Sequence, residues 1–404
     1  MATIAVLGTL DTKGEEHFFL TDQIHARGHD TLLINVGTGD KPTVEPDIPL
    51  EEVAEAGNVD LKPLLERGDR GECVSAMSQA APKLVSRLAS KGMIDGIISL
   101  GGGGGTAIAT AAMRALPIGF PKVMVSTLAA GDTTPYLGTK DIVMIPSIAD
   151  VSGLNRLTRL IFARAAGAVC GMVETKVEDS DSKPLIVASM FGNTTKCISE
   201  ARKILEEAGY EVVVFAATGT GGKAMETLIE SGMVDGILDI TTTELADELV
   251  GGVLSAGPHR MEAAAKAGVP TVVAPGCMDM VNFGEKEAVP KKFSGRNFYI
   301  HNPQVTLMRT NSEECAELGR ILAEKSNGYR GPITIMIPKG ALSEINGPGG
   351  PFYDPQADAA LFSNIREHAQ MDVREFKEEI NSPVFARACA EELLENIRKA
   401  NKNN

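Results

Sequence analysis

The stretch Ile97-Ile98-Ser99-Leu100-Gly101-Gly102-Gly103-Gly104-Gly105-Thr106 carries the clearest signal for the fold of this chain. An apolar run leads into five consecutive glycines, and Ala107-Ile108-Ala109-Thr110 then begins an alanine-rich pattern. A short apolar run that ends in glycine is typical of a buried strand, and an alanine-rich segment is typical of a helix. The stretch therefore predicts a strand, a tight loop and a helix in succession.

The glycine run also predicts a backbone that a ligand can approach closely. Glycine turns sharply and has no side chain, and the free N–H groups at the start of the following helix favour an anion. A phosphate-bearing ligand is the first hypothesis, and a flexible linker is the alternative. The run lies between an apolar strand and a helix, which favours the ligand. No Lys follows Gly105, so the loop is not a Walker A motif, and a run of identical glycines does not define a G-x-G-x-x-G fingerprint.

An internal repeat extends the strand–helix pattern over the whole chain. Ser90-Lys91-Gly92-Met93-Ile94-Asp95-Gly96-Ile97 recurs as Glu230-Ser231-Gly232-Met233-Val234-Asp235-Gly236-Ile237. Flanking segments match as well, 28–34 with 209–215 and 119–125 with 268–274. The alternation of apolar runs and helical patterns predicts an α/β fold. We expect two doubly wound, Rossmann-like parallel-sheet domains, related by internal duplication.

The repeat also predicts the domain organisation. The first domain is placed at 1–175 and the second at 183–404, with a polar join near 174–184. The two copies are offset by 181 residues at Gly28 and Gly209 but by 140 at Gly92 and Gly232. The first domain therefore carries an insertion near 40–80, which its prolines and charged residues predict to be a surface loop with short helices.

Sheets of this kind bind ligands beyond the carboxyl ends of their strands. Lys13 offers an ammonium group for a phosphate. Asp11 offers a carboxylate that would hold Mg²⁺ through water. The sequence shows no cluster of ligands that would bind a metal without the phosphate-bearing ligand, so we expect Mg²⁺ to arrive with that ligand. The structural alternatives are a capping box of Thr12 with Glu15 and simple turn formation by Asp132. The predicted cofactor-binding residues are Gly8, Thr9, Asp11, Thr12, Lys13, Gly37, Gly39, Gly101, Gly102, Gly103, Gly104, Gly105, Thr106, Ser126, Thr127 and Asp132.

The second domain differs at the place of the glycine loop, where Asp239-Ile240-Thr241-Thr242-Thr243-Glu244 replaces the glycines. Such a loop cannot wrap phosphates as a bare backbone can, so we expect this domain to bind a different ligand. Glu244, His301 and Arg309 are the predicted catalytic residues, in a cleft between the domains. Glu244 and His301 would move protons, and Arg309, like Arg260, would grip a substrate carboxylate. The alternatives are a Glu244 that only complements a helix N-terminus, a packed His301 and arginines that are surface charges.

Composition excludes several classes of function. The chain has 404 residues, with 39 basic and 53 acidic residues and a net charge of −14. An acidic chain without a basic run, and with only 4% aromatic residues, is a poor candidate for binding nucleic acid or an anionic membrane. No apolar stretch has transmembrane length. The six scattered cysteines contain no C-x-x-C motif, which indicates the cytoplasm rather than disulfides or a zinc site.

Several motifs resemble one family across essentially the whole chain. They are Gly8-Thr9-Leu10-Asp11-Thr12-Lys13-Gly14, the glycine loop with Ser99 and Thr106, Gly131-Asp132, Gly153-Leu154-Asn155-Arg156, His301-Asn302-Pro303 and Gly347-Pro348-Gly349-Gly350-Pro351-Phe352. The chain resembles the ATP-binding family typified by the N-terminal domain of the tomato mosaic virus resistance protein. Within the glycine loop that family has a Ser, whereas every position here is Gly, so any hydroxyl contact from that position is lost.

The resemblance implies a two-lobed protein that binds ATP and magnesium and forms a homodimer. In plants this domain is fused to a TIM-barrel module that is absent from this sequence. A separate TIM-barrel protein is therefore an expected partner by analogy with the family.

Two classes of function follow from these observations. The first is an ATP-dependent enzyme that acts on a small carboxylated metabolite in the cleft between the domains. The second is a nucleotide-binding regulatory or partner-binding protein, in which ATP biases the arrangement of the lobes. A nicotinamide enzyme is a weaker alternative, because the acidic residue expected about 20 residues past the glycine loop is missing from Pro121-Lys122-Val123-Met124-Val125.

Overall fold

Strands and helices alternate along the chain and form two units, Met1–Asp179 (unit 1) and Ser180–Asn404 (unit 2). The computed structural model describes residues 1–37, 39, 41–176 and 182–403. The sequence predicts a strand end at Gly37-Thr38-Gly39, of which Thr38 lies outside the described residues, as do the start of the predicted insertion at Asp40 and the part of the predicted join at 177–181.

Unit 1 contains five strands and seven helices in its described part. In chain order they are β1 (Thr3–Gly8), α1 (Leu10–His25), β2 (Asp30–Asn35), α2 (Leu50–Gly57), α3 (Leu61–Arg67), α4 (Arg70–Ser90), β3 (Gly96–Gly101), α5 (Gly103–Arg114), β4 (Lys122–Ser126), α6 (Thr134–Leu137), β5 (Val143–Pro146) and α7 (Arg156–Glu174).

Unit 2 begins with the same alternation and continues into further elements. In chain order they are β6 (Leu185–Met190), α8 (Thr195–Glu207), β7 (Glu211–Ala216), α9 (Thr220–Glu230), β8 (Gly236–Thr241), α10 (Thr243–Val250), α11 (Glu262–Ala267), β9 (Thr271–Gly276), β10 (Met280–Phe283), β11 (Phe298–Asn302), β12 (Val305–Arg309), α12 (Ser312–Asn327), β13 (Ile333–Pro338), α13 (Pro355–His368), β14 (Asp372–Phe376) and α14 (Pro383–Asn403).

The two main sheets share one topology, which confirms the predicted fold class. Unit 1 has the strand order β2-β1-β3-β4-β5, and unit 2 has the order β7-β6-β8-β9-β13-β14, all in parallel pairs. The register matches too, because Ile4 pairs with Gly96 in unit 1 and Ile186 pairs with Gly236 in unit 2. The repeated segments therefore place β3 and β8 at the same position in their sheets.

Both faces of the unit 1 sheet are covered. Successive residues of β1 point to opposite faces, so Ile4 and Val6 pack in one buried cluster with helices α1 and α7. Ala5 and Leu7 pack in another cluster with α2, α4 and α5. Burial on both faces is the reason that these strands read as unbroken apolar runs.

The insertion in unit 1 is only partly a surface feature, which corrects the sequence prediction. Helix α2 buries Leu50, Val53 and Ala54 in the same cluster as α4. This spacing places the three side chains on one face of the helix. Helix α3 has no buried residue and lies on the surface, as expected.

A small antiparallel sheet in unit 2, with strand order β10-β12-β11, was not predicted. It follows β9 directly and carries two of the predicted catalytic residues, His301 on β11 and Arg309 at the end of β12. Its strands are only 4–5 residues long. Such short runs produce little periodicity in a sequence.

We predict opposite effects from replacing two helical glycines by alanine. A Cβ atom on Gly319 of α12 would lie 2.4 Å from the carbonyl oxygen of Leu361 on α13, so the two helices must separate. Gly319→Ala should lower the free energy of unfolding by about 1–3 kcal/mol. A Cβ atom on Gly171 of α7 would have no described atom within 4 Å, so Gly171→Ala should raise that free energy by up to about 1 kcal/mol through helix propensity. Thermal unfolding of both variants checks the packing, and a stabilised Gly319→Ala variant would contradict it.

Candidate functional site

A pocket of about 480 Å³ lies at the carboxyl ends of β1 and β3 in unit 1. It brings together nine of the predicted cofactor-binding residues with six that the sequence did not single out. Its lining consists of Thr9, Asp11, Thr12, Lys13, Gly39, Gly68, Arg70, Cys73, Val74, Gly101, Gly102, Gly104, Gly105, Ile108 and Asp150.

The glycine loop forms the start of a helix rather than a separate loop. Gly101 ends β3, Gly102 is the N-cap of α5, and Gly103 is its first residue. None of the five glycines has a positive φ, so the backbone conformation does not require glycine at these positions. The reason for glycine must therefore lie in the space around the loop.

The space is open at two glycines that line the pocket, Gly102 at the N-cap of α5 and Gly105 at its third position. A Cβ atom on Gly102 would meet only the Thr127 hydroxyl at 3.8 Å, and one on Gly105 would meet only the Leu100 carbonyl at 3.7 Å. Both are ordinary contacts among the described residues. Gly105 lies inside the helix, where glycine costs about 0.5–1 kcal/mol of stability relative to alanine. The chain accepts that cost at Gly105 with no packing reason among the described residues, whereas glycine is an ordinary N-cap residue at Gly102.

The start of α5 also offers free hydrogen-bond donors. No side chain at Gly102 caps the helix. The backbone hydrogen bonds of the helix begin with the one from the Thr106 N–H to the Gly102 carbonyl. The first N–H groups of a helix have no partner within the helix and carry a partial positive charge. This end of the pocket therefore suits an anion.

Charged side chains of both signs complete the lining. Lys13 and Arg70 provide positive charge, and Nη2 of Arg70 lies 3.9 Å from the position of a Cβ atom on Gly104. Asp11 and Asp150 provide carboxylates. One oxygen of Asp11, Oδ2, accepts a hydrogen bond of 2.8 Å from the Gly39 N–H and so holds Gly39 at the pocket.

A buried histidine shapes the backbone around Lys13. Lys13 interrupts α1 with φ −134° and ψ 26°, and its carbonyl accepts a hydrogen bond of 2.7 Å from Nδ1 of His17. His17 is fully buried, and burial lowers its pKa to about 4, so the ring is neutral at pH 7. A Cβ atom on Gly8 would lie 2.2 Å from Nε2 of this ring. Gly8, predicted as a ligand contact, is thus glycine because of His17.

Several other predicted residues have structural partners near the pocket. The hydroxyls of Thr106 and Ser126 are buried and 2.7 Å apart, so they tie α5 to β4 and do not face the pocket. A Cβ atom on Gly37 would lie 2.3 Å from Oδ1 of Asp11. Thr12 Oγ1 bonds to Thr9 at the N-cap of α1, so the alternative capping box with Glu15 does not form.

The remaining three predicted residues lie beside the pocket or away from it. Gly103 is exposed and lies outside the described lining. Asp132 is also exposed and lies outside the described lining of the pocket. Hydrogen bonds from the Thr134 side chain and from the Thr134 N–H, the latter 3.0 Å long, lower the pKa of its carboxyl, and the second is the contact of an Asx-turn. Thr127 lies with Ser126 on a neighbouring pocket of about 430 Å³, which shares Asp150 with the first.

Two charged lining residues were missed by sequence reasoning. Arg70 begins α4, and its place in the charged end of the insertion suggested a solvated surface. Asp150 follows β5, whose short apolar run was not recognised as a strand. The position of Asp150 just beyond that run was the available signal, because strand ends in such sheets carry ligand contacts.

In unit 2, Glu244 is buried in an ionic network. Its Oε2 accepts a hydrogen bond of 2.7 Å from Nε of Arg260, and its Oε1 accepts bonds from the N–H groups of Gly219 and Gly222 at the start of α9. Arg260 is fully buried as well and pairs with both oxygens of Asp239 at 2.7 Å. Both alternatives named for these residues, a Glu244 that only complements a helix N-terminus at the surface and an Arg260 that is a surface charge, are therefore wrong, because both side chains are buried.

Burial raises the pKa of Glu244, and the nearby Arg260 opposes that rise. Glu244 in unit 2 and Gly104 in unit 1 occupy equivalent positions. Glu244 is the second residue of α10, and Gly104 is the second residue of α5. A carboxylate in one unit therefore stands where the other unit has no side chain.

Arg309 is also engaged within unit 2. Its guanidinium donates to the Phe352 carbonyl at 2.8 Å, to the Thr310 hydroxyl at 2.8 Å and to the Asp358 carboxylate. These bonds hold the glycine-rich segment before Phe352. His301 is exposed on β11. No described contact joins Glu244, His301 and Arg309, so the structure does not assemble them into one site within the unit.

The described ranges contain neither a metal cluster nor a membrane span. No group of three or more His, Cys, Asp and Glu side chains there could hold a metal ion. None of the helices in that part of the chain is long and apolar enough to cross a membrane.

Two α/β units with parallel sheets of matching topology, one with a pocket at the carboxyl edge of its strands, define a duplicated Rossmann-like protein. The chain belongs to the uncharacterised protein family UPF0261: the model of its N-terminal domain matches residues 2–178, and the model of its C-terminal domain matches residues 183–397. The predicted resemblance is therefore confirmed at the level of the family.

Relatives from bacteria and a plant align with nearly the whole chain. A UPF0261 protein of Clostridium tetani is 49% identical over 400 residues, which cover 98% of this chain and 99% of the relative. The ToMV resistance protein Tm-1(GCR237) of Solanum lycopersicum is 35% identical over 414 residues, which cover 96% of this chain but 55% of the tomato protein. Among solved structures, a UDP-GlcNAc 2-epimerase of Methanocaldococcus jannaschii aligns over 68% of this chain and 83% of that chain, at 10% identity with a TM-score of 0.22, which supports no inference.

We predict that Glu244→Gln destabilises the protein. The change removes the charge that pairs with the buried Arg260, while Asp239 still pairs with it. The expected loss in the free energy of unfolding is about 3 kcal/mol, the lower end for a broken buried ion pair. Glu230→Gln at an exposed helix end is the matched control, with a change within about 0.5 kcal/mol. Wild-type stability in Glu244→Gln, together with lost binding of a carboxylated metabolite, would instead support the catalytic role.

We predict a pH dependence of stability that His17→Asn removes. The pKa of His17 is about 4 in the folded protein against an ordinary value of 6.5, so the unfolded chain binds more protons between these values. His17 therefore has no effect of this kind on stability above about pH 6.5. As the pH falls toward 4, His17 lowers the free energy of unfolding, by up to about 3 kcal/mol at about 1.4 kcal/mol per pKa unit. Urea unfolding at about pH 7 and about pH 4.5 measures it. Equal pH dependence in wild type and variant would show that His17 titrates normally.

Proposed function

We propose that unit 1 binds ATP with its phosphates on the glycine loop. The observation that carries the proposal is that Gly102 and Gly105 line the pocket with open space beside them, and that Gly105 lies inside α5 although neither its backbone conformation nor its described neighbours require glycine. A phosphate that approaches the backbone would supply the missing reason. The uncapped start of α5 offers N–H groups to such an anion, and Lys13 and Arg70 offer charge-assisted hydrogen bonds.

Magnesium is proposed to arrive with the nucleotide. Mg²⁺ commonly binds one or two carboxylates together with substrate phosphates and retains several waters. Asp11 fits this requirement, because it lines the pocket and, among the described residues, its Oδ2 accepts the hydrogen bond from the Gly39 N–H while its Oδ1 has a long 3.5 Å contact from the Thr12 hydroxyl. Asp11 would hold the ion and neutralise part of the phosphate charge.

The nucleotide site is common to two forms of the proposal. In the first form the chain is an ATP-dependent enzyme that acts on a small carboxylated metabolite; in the second it is a nucleotide-binding regulatory or partner-binding protein. The internal hydrogen bonds of Glu244 and Arg309 occupy the groups that a substrate would need, which favours the second form. Product formation that requires both ATP·Mg²⁺ and an added carboxylated metabolite would establish the first.

The family resemblance adds proposals about partners and location. We propose a homodimer in the cytoplasm, where the six free and buried cysteines would remain reduced. A separate TIM-barrel protein is the proposed partner by analogy with the plant relative, of which this chain matches about half. Sedimentation of the purified protein, alone and with ATP, tests the dimer.

We predict that Gly102→Ala weakens ATP binding at least about tenfold, roughly 1.4 kcal/mol, because the added methyl group occupies the approach to the loop. Gly171→Ala is the matched control: it adds the same methyl group to an exposed helical glycine of α7, outside the described lining, where a Cβ atom would have no described neighbour within 4 Å. Calorimetric titration with ATP·Mg²⁺ measures both affinities. Wild-type affinity in a folded Gly102→Ala variant would reject the site.

A further inference from the structure

A second pocket of unit 1 adjoins the proposed phosphate site. It measures about 430 Å³ and lies at the carboxyl ends of β4 and β5, between Thr127 and Ala130 on one side and residues 146–150 on the other. Asp150 lines both this pocket and the one at the glycine loop. One ligand can therefore extend from the glycine loop past Asp150 into the second pocket.

The wall of the second pocket contains an unusual turn. Ile148 has φ 65°, and the Ala149 N–H donates a hydrogen bond of 2.7 Å to the Ser147 carbonyl across it, which is a γ-turn of the strained kind. A β-branched residue with positive φ is a genuine outlier. The turn is held from both sides, because the Ser147 hydroxyl bonds to the Ala149 carbonyl and the Ser147 N–H bonds to Ser126 on β4.

The turn presents an apolar side chain to solvent. Ile148 is 77% exposed, so the strain is not offset by burial in the core. Strained residues of this kind persist where the surrounding structure holds them for binding or switching. Exposed apolar surface beside a few fixed polar groups is the common composition of small-molecule sites.

We infer that the second pocket binds the nucleoside half of the nucleotide, with the planar base on Ile148 and the ribose at Asp150. This inference rests on the proposed function, since a ligand with its phosphates at the glycine loop would reach the second pocket past Asp150, which lines both pockets. A carboxylate accepts hydrogen bonds from both hydroxyls of a ribose. The assignment makes Asp150 a sugar ligand, a role that no sequence motif indicated at this position.

The test compares ATP·Mg²⁺ with inorganic tripolyphosphate·Mg²⁺, which carries the phosphates without a nucleoside. Calorimetry on the wild type should show tighter binding of ATP. Ile148→Gly and Asp150→Ala should each weaken ATP binding at least about tenfold and leave tripolyphosphate binding unchanged. Leu160→Ala, at an exposed apolar residue of α7, is the control and should affect neither ligand.

Stability gives an independent readout for Ile148→Gly. Glycine adopts a positive φ without the steric penalty of a β-branched residue, so the melting temperature of the free protein should rise while nucleotide affinity falls. A residue that served only the fold would not combine these two effects. A lower melting temperature would overturn the view that the turn is strained for binding.

The outcomes separate the two proposals. Equal affinity of the wild type for ATP and tripolyphosphate would overturn the nucleoside subsite and leave the phosphate site standing. Unchanged ATP affinity in both variants would do the same. Loss of tripolyphosphate binding in Asp150→Ala would assign Asp150 to the phosphates or their metal instead of the ribose. Failure of the wild type to bind either ligand would overturn the proposed function, and this inference with it.

Discussion

Parallel pairing of β1 with β3 in unit 1, and of β6 with β8 in unit 2, is the constraint on which the rest of each unit depends. Parallel neighbours require a crossover, and a crossover helix runs back so that the next strand begins at the same edge. Every strand in such a sheet therefore ends at one edge, and each following helix starts there. That edge collects helix N-termini and loop side chains whatever the chemistry of the individual loops.

The chemistry of the two edges is set by a few side chains. Gly104 and Glu244 are both the second residue of the helix that follows the third strand of the sheet. Glycine leaves a pocket lined by Lys13 and Arg70 in unit 1, whereas Glu244 binds the start of α9 and Arg260 in unit 2. The duplicated scaffold thus has an open position in one copy and an internal ion pair in the other.

The sequence predicted the fold more completely than the site, for a physical reason. Strand order and register depend on apolar runs, turns and the repeat, all of which are local patterns along the chain. The partner of Glu244 is Arg260, 16 residues away on a different segment, and no local pattern reports such a pairing. Gly8 was assigned to the ligand for the same reason, because its need for glycine comes from the ring of His17. Arg70 and Asp150 reach the pocket from an insertion and an unrecognised strand end.

The contrast between Gly104 and Glu244 has a consequence for how the chain responds to its surroundings. A ligand that binds only the folded form adds RT ln(1 + [L]/Kd) to stability, about 2.7 kcal/mol at a hundredfold excess over Kd. Unit 2 carries its carboxylate covalently, so the corresponding interaction operates at any concentration of solutes. With a nucleotide at the glycine loop, unit 1 would be stabilised according to the supply of that nucleotide. The stability of unit 1 would then depend on the supply of nucleotide, whereas the ion pair of Glu244 with Arg260 in unit 2 would not.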